Sequence, residues 1–541
     1  MTILYFCILL KIMSRMKIKS FLLLAALLVT SSSYSQEKAL KTITREEAEK
    51  HMKYLSSDAL EGRRTGSEGN NAAAGYISAE AMKMGVRPLP GRENLFQPLE
   101  YIRVTSLPGE STITITDSTG NPFHTSQITS IMAPGDSVSF SGDVVFAGYG
   151  YTNTEEKYND FSGLSLKGRS VIVMTRNPDL KGNGLPSPED GLSEMDEARK
   201  LSLAMLQQAK AVFFVGDPAL GTDISPDLIP IGSSYQLKPL FRKQFSFNLN
   251  AYVISREVAD LMLGKASLTL KQLQDSIAMV RKPVSFVIPD LKAEVTINVA
   301  KDTVTSSNVI GYIEGSDPVL KNECVIYTAH YDHVGKGSSG NIFNGANDNA
   351  SGSVGLLNVA RAFTSPGRKP ARSIVFLWTT GEEEGLHGST YYVENPLFPL
   401  EKTVAGINFD MIGRSRRETD TGASLSGGID ITGRDTIKII SGGDTPGFLD
   451  IAKEACTQAG IAVIDEGKGD HFSGSDHYPF YRKGIPALFF FTGLHKDYHR
   501  ETDDFEFIDF DKLLKVSKAG FLTGYRVASA PERPQIVKPE K

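Results

Sequence analysis

Three glutamates in a row stand in Thr379-Thr380-Gly381-Glu382-Glu383-Glu384-Gly385-Leu386, directly after the apolar run Ile374 to Trp378. Carboxylates on the turn that leaves a buried strand are costly unless a cation or a reaction needs them. The plainer alternative is that they open a helix and favour its dipole. Their company argues for chemistry. His330-Tyr331-Asp332 also follows an apolar run, Cys324 to Ala329, and Asp348 lies in Asn344-Gly345-Ala346-Asn347-Asp348-Asn349-Ala350-Ser351-Gly352. Asp410 ends the run Val404 to Phe409, and His499 follows Tyr498. His330, His499, Asp348, Glu383 and Asp410, each at an element end, form a ligand set for two zinc ions.

The elements that must hold these residues alternate from Asn308 onward. Strands are expected at Val325 to Ala329, Ile374 to Thr379, Val404 to Phe409 and Ile485 to Phe491. Helices are expected at Ser351 to Thr364, Leu386 to Glu394, Phe448 to Ala459 and Phe510 to Ala528. Such alternation implies an α/β fold, a mostly parallel sheet flanked by helices on both faces. Ligand sites in these sheets lie beyond the carboxyl ends of strands, where His330, Glu382, Glu383 and Asp410 fall.

Taken in order, the motifs His-x-Asp, Gly-Ala-x-Asp-Asn-Ala-Ser-Gly, Glu-Glu-x-Gly-Leu-x-Gly-Ser, Asp-Met-Ile-Gly and Tyr-His resemble one family. It is the di-zinc exopeptidase family that contains the bacterial leucyl-type aminopeptidases and the glutamate carboxypeptidases. The likeness spans roughly residues 305 to 525. It implies the zinc-dependent exopeptidase fold, two Zn2+ ions and peptide substrates. It assigns the bridge between the metals to Asp348, one zinc to His330 and Asp410, and the other to Glu383 and His499. By the same resemblance Glu382 is the general base, Asp332 orients His330, and Tyr498 donates a hydrogen bond to the oxyanion.

Other residues compete for some of these roles. His477, in Ser475-Asp476-His477-Tyr478-Pro479-Phe480, and His471 are rivals to His499. His333, His387 and His495 are expected to support the site, to lie at the surface or to pack, and Glu384 to face solvent or cap the helix that follows. Ser351 is expected to cap its helix, not to act as a nucleophile.

The remainder of the 541 residues describes a large folded chain of two or three domains. Hydrophobic content is 40%, charged content 22% and the formal net charge −5, with no basic stripe, which argues against a nucleic-acid partner. Lys17 and Lys19 precede the apolar run Phe21 to Val29, followed by small residues to Ser35. Residues 1–35 therefore read as a signal peptide, and a periplasmic or secreted protein without a membrane anchor is expected. The start is either Met1 or Met16. Cys324 and Cys456 sit in apolar or helical context and read as buried thiols.

Residues 36–140 read as the N-terminal part of the peptidase domain and 291–529 as its catalytic part, followed by a polar tail at 530–541. Residues 141–290 resemble the protease-associated domain, a β-rich insert, through Leu164 to Met174 and the Ala-rich helix before Ala211. The expected function is an exported zinc aminopeptidase. A glutamate-type carboxypeptidase would need cations for a free carboxylate, and Arg414, Arg416 and Arg417 are the candidates. An aminopeptidase needs acids for an ammonium, with Asp465, Glu466 and Asp476 available. A non-catalytic receptor or binding module of the same fold would have lost ligands that are all present here. Cyclisation of N-terminal glutamine at a single zinc sits poorly with a full two-metal set.

Overall fold

The computed structural model describes residues 36–537 apart from 108–109, 118–119, 121, 131–133, 135, 181–193, 221–232, 239–249, 338–339, 366, 368, 419, 421–428 and 470. The expected signal segment and the last residues of the tail lie outside the described residues. Among the described residues no helix is long and apolar enough to cross a membrane.

Two large sheets carry the chain. The first has nine strands, in the spatial order Ser233–Lys238, Phe96–Ser106, Val299–Ile313, Ser373–Thr379, Cys324–His330, Thr403–Phe409, Ala487–Phe491, Thr436–Ile440 and Ala462–Asp465. The four strands from Ser373–Thr379 to Ala487–Phe491 run parallel to one another. Strands toward both edges add antiparallel pairings, so the sheet is mixed and only its centre matches the mostly parallel expectation. The four strands and four helices expected there are present, with ends shifted by no more than two residues.

The central strands are buried on both faces, which is why they read as continuous apolar runs. Alternation still sorts their side chains. Val325, Tyr327, Phe376 and Trp378 enter a core covered by the helices Arg45–Leu55, Glu68–Met84, Gly352–Thr364, Pro446–Ala459 and Phe510–Ser529. Ile326, Val375 and Leu377 face the other way, under His387–Glu394 and His477–Arg482. Thr44 accepts a hydrogen bond from the Glu47 amide, and Asp509 from the Lys512 amide, so side-chain caps start the first and last of these helices.

The second sheet has eight strands drawn from Thr112–Asp117 through Ser285–Ile297 and packs its own core around Phe146, Ile172 and Phe213. The boundaries expected at 141 and 290 follow neither sheet. Strands before 141 join the second sheet, while Ser233–Lys238 leaves it to pair with Phe96–Ser106 on the first.

Candidate metal centre

Strand register brings the chemistry to one edge. His330 pairs with Thr379, and Thr328 pairs with Asn408, so the chain exits toward Glu382 and Asp410 beside the histidine. The segment carrying Asp348 crosses this edge between the strand Cys324–His330 and the helix Gly352–Thr364. Its Asp348–Asn349 peptide is cis. Asn349 ties the segment to its neighbour: the side-chain amide donates to the Phe409 carbonyl and its oxygen accepts from the Met411 amide. Asp503 holds it from the other side, accepting from the Asn347 and Asp348 amides at 2.9 and 3.0 Å. Met411 and His499 both adopt left-handed backbone conformations, and strained positions of this kind concentrate at functional sites.

The side chains form two adjoining clusters, His330 with Glu382 and Asp410, and His333 with Asp348, Glu383 and His499. Asp348 spans both: its Oδ1 lies 3.5 Å from His330 Nε2, and its Oδ2 lies 3.1 Å from His499 Nε2. Asp410 Oδ1 is 3.3 Å from His330 Nε2, and Glu383 Oε2 is 3.1 Å from His499 Nε2. Donors bound tetrahedrally at zinc–nitrogen or zinc–oxygen distances near 2 Å stand about 3.3 Å from one another. The observed edges are of the size expected between donors around a zinc-sized divalent cation, and Asp348 is within reach of both histidines. Asp410 Oδ1 is also buried and accepts no hydrogen bond, as a metal-directed oxygen would be.

The surroundings keep these donors in place. Ser475 Oγ donates to the second Asp410 oxygen at 2.7 Å and accepts from the Asn408 amide. His330 Nδ1 lies 3.2 Å from the Asp332 backbone carbonyl. The Asp332 carboxylate, expected to be the partner of His330, lies 3.8 Å from His330 Nδ1 and also accepts hydrogen bonds from the Glu382 and Glu383 amides and from Thr65. It therefore orients the glutamates more directly than the histidine.

Electrostatics follow from burying so many carboxylates together. Burial outweighs the opposing pull of His330 and, with Glu383 and Asp476 adding to it, leaves the Asp332 carboxyl pushed up to about 7. Burial also lifts the Glu382 carboxyl well above its ordinary value, with Asp410 and Glu383 adding to it. For Glu383, burial opposes ionisation but His499 and His333 outweigh it, so its carboxyl lies well below the usual range. His330 is likewise disfavoured as a cation by burial, yet Asp410 and Glu382 raise it well above 6.5. The cluster has an excess of negative charge that a divalent cation would neutralise.

The rival residues fall outside this constellation. His477 stacks on Phe489 and lies 2.8 Å from the Phe472 carbonyl, while His471 pairs with Asp430. Tyr498, expected to serve an oxyanion, stacks on His499 with ring centroids 3.9 Å apart. Glu384 does not face solvent: its side chain is turned in against Arg64, and burial pushes it up to about 7. Nor does Ser351 cap a helix, because its hydroxyl donates to the Asn347 carbonyl and accepts from the Ile412 amide. Asp465 and Glu466 are engaged by Lys453 and Lys438, and Asp476 by Thr379.

Two further residues contribute, one expected only to support the site, lie at the surface or pack, and one not singled out in the sequence. His333 reaches Glu383 directly, with Nδ1 2.8 Å from Oε1. Arg63, from the N-terminal segment, is fully buried and donates to the carbonyls of Leu55, Tyr331, Asn344 and Gly345. The available sequence signals were a second histidine three residues after His330 and an arginine inside the glycine-broken Gly62-Arg63-Arg64-Thr65-Gly66.

Residues 308–521 match the family model described as Peptidase family M28. The match spans under half of the chain. All five ligand candidates and Glu382 fall within it. Leucine aminopeptidase 2 of Trichophyton equinum is 38% identical over 135 residues, covering 24% of this chain and 25% of that protein. Leupeptin-inactivating enzyme 1 of Streptomyces exfoliatus is 33% identical over 197 residues, 35% of this chain and 38% of that protein. The chain thus aligns with well under two thirds of these curated relatives.

Solved structures extend the likeness in fold beyond the M28 segment. The aminopeptidase from Aneurinibacillus sp. strain AM-1 superposes with a TM-score of 0.55 at 21% identity, covering 94% of this chain and 98% of that one. BSAP, a zinc aminopeptidase from Bacillus subtilis, gives a TM-score of 0.51 at 18% identity, covering 91% and 98%.

Proposed function

We propose that the protein is an exported zinc aminopeptidase that uses two Zn2+ ions to hydrolyse the N-terminal residue from peptides. The observation that carries this reading is the division of oxygens between His330, with Asp410, and His499, with Glu383, across the shared Asp348. His330, Asp348 and Asp410 would hold one ion, and Asp348, Glu383 and His499 the other. Zinc bound there supplies Lewis acidity, which acidifies water and polarises the scissile carbonyl.

The chain's own residues do the rest. Glu382 Oε2 lies 3.9 Å from His330 Nε2, farther than the Asp348 and Asp410 oxygens, so it flanks the ligand set. Its carboxylate takes the proton of the attacking water and returns it to the departing amine. Asp332 fixes the turn that presents it by accepting from the Glu382 amide. Tyr498, stacked on His499, is the candidate hydrogen-bond donor to the oxyanion.

An aminopeptidase fits better than a carboxypeptidase. Arg414 is buried against Asp497 and Asp503, Arg417 pairs with Asp420 and Asp497, and Arg416 donates to the Ile431 carbonyl. None is disposed to grip a substrate carboxylate. Met411, next to Asp410, packs with Phe489, Phe491, Leu494 and Tyr498 in an apolar cluster beside the ligands. The β-rich second body is read as the protease-associated-like insert, and residues 1–35 as the export signal.

The test is hydrolysis of aminoacyl-nitroanilides by zinc-loaded protein, each substrate beside its N-acetylated twin and a chelated control. Cleavage of free-amine leucyl and phenylalanyl substrates, lost on acetylation and on chelation, is expected. Equal cleavage of acetylated substrates, or activity that survives chelation, would sink the proposal.

A further inference from the structure

We infer that His333 is a positioning residue for Glu383: its Nδ1–H holds one carboxylate oxygen so that only the other can serve a metal. The inference rests on the two-zinc reading above. Nδ1 lies 2.8 Å from Glu383 Oε1, whereas Oε2 faces His499 Nε2 at 3.1 Å. One oxygen is thus committed to each role. Asp410 follows the same pattern, with Oδ1 toward His330 and Oδ2 held by Ser475. Each terminal carboxylate ligand has one oxygen restrained by a donor, which makes it a one-oxygen ligand and leaves coordination positions for substrate.

The tautomer follows from burial. The His333 ring is fully buried, and Nε2 has no hydrogen-bond partner. A proton on Nε2 would be a buried donor without an acceptor, whereas a proton on Nδ1 has Glu383. Nδ1 is also 3.6 Å from Asp348 Oδ2, so the donor faces the acidic side of the site. The ring has little freedom to leave. It meets His499 edge-on with centroids 5.5 Å apart, and Gly345, at φ +57°, leaves it room that a Cβ would occupy, 2.4 Å from His333 Cδ2.

Two substitutions separate the donor from the volume. His333→Asn places an amide nitrogen at the branch that Nδ1 occupies but is smaller; His333→Phe keeps the ring and removes the donor. Zinc content and zinc affinity are read by competition with a chromophoric chelator, beside kcat and KM. His333→Phe should weaken one of the two zinc ions about 10- to 100-fold, with the other within about 3-fold of wild type, and His333→Asn should restore most of the loss. A Phe variant that holds both ions at wild-type affinity, or an Asn variant no better than Phe, overturns the assignment. Wild-type protein that takes up fewer than two zinc ions overturns the metal-pair reading itself, and this is measured first.

Discussion

Arg63 offers the sharpest test of how the N-terminal segment serves the site. Its guanidinium is buried among backbone carbonyls, 2.7 Å from that of Tyr331, 2.6 Å from that of Asn344 and 3.0 Å from that of Gly345, and it also donates to Leu55. Tyr331 lies between His330 and Asp332, and Asn344-Gly345 leads into Asp348. Arg63→Ala strips four buried carbonyls of a charged donor, a loss of roughly 2 kcal/mol each and so about 8 kcal/mol in all. Against that stands relief of the buried cation. Burial lowers the Arg63 pKa to about 10, worth about 3 kcal/mol at 1.36 kcal/mol per unit.

A net cost of about 5 kcal/mol is expected, a large share of the stability of an ordinary domain. Denaturant unfolding of zinc-loaded and chelated protein measures it. The zinc-loaded form should lose more than the chelated one, because the carbonyls released are those that brace the metal ligands. Arg63→Lys, with one ammonium for four acceptors, should recover no more than about half. A change below about 1 kcal/mol in Arg63→Ala, with zinc affinity unaltered, would refute the argument.

Two further expectations concern the base and acid stability. Glu382→Gln should retain both zinc ions and lose about 10²- to 10⁴-fold in kcat, whereas Asp348→Ala should lose metal as well, read by metal analysis beside single-turnover rates. His51 is buried on the helix Arg45–Leu55, away from the metal ligands, and burial lowers its pKa from 6.5 to about 4. The fold prefers the neutral ring, so its stabilisation is complete above pH 6.5 and is lost as pH falls toward 4. Between pH 7.5 and 4.5 the wild type should lose about 2–3 kcal/mol more than His51→Gln, and equal losses would contradict it.

The central strands and the ligand motifs were legible because burial on both faces writes a continuous apolar run, and a ligand at its end interrupts that run with charge. Cys324–His330, Ser373–Thr379 and Thr403–Phe409 are such runs, and His330, Glu383 and Asp410 follow or end them. What escaped is what depends on distant pairing. The edge strand Ser233–Lys238 belongs to the first sheet through Phe96–Ser106, a contact that no local period announces. Glu384 reads as exposed beside a polar turn, yet Arg64, hundreds of residues earlier, folds against it. Arg414 reads in sequence as a free cation because its two carboxylates, Asp497 and Asp503, lie more than eighty residues away. Side chains such as Arg63 leave no motif, since their partners are backbone carbonyls present at every residue.

The most direct test of the two-metal account is anomalous diffraction at the zinc edge from crystals of zinc-loaded protein. The account predicts two peaks, one against His330 and Asp410 and one against Glu383 and His499, with an Asp348 oxygen on each. A single peak, or a second zinc that does not touch Asp348, would contradict it.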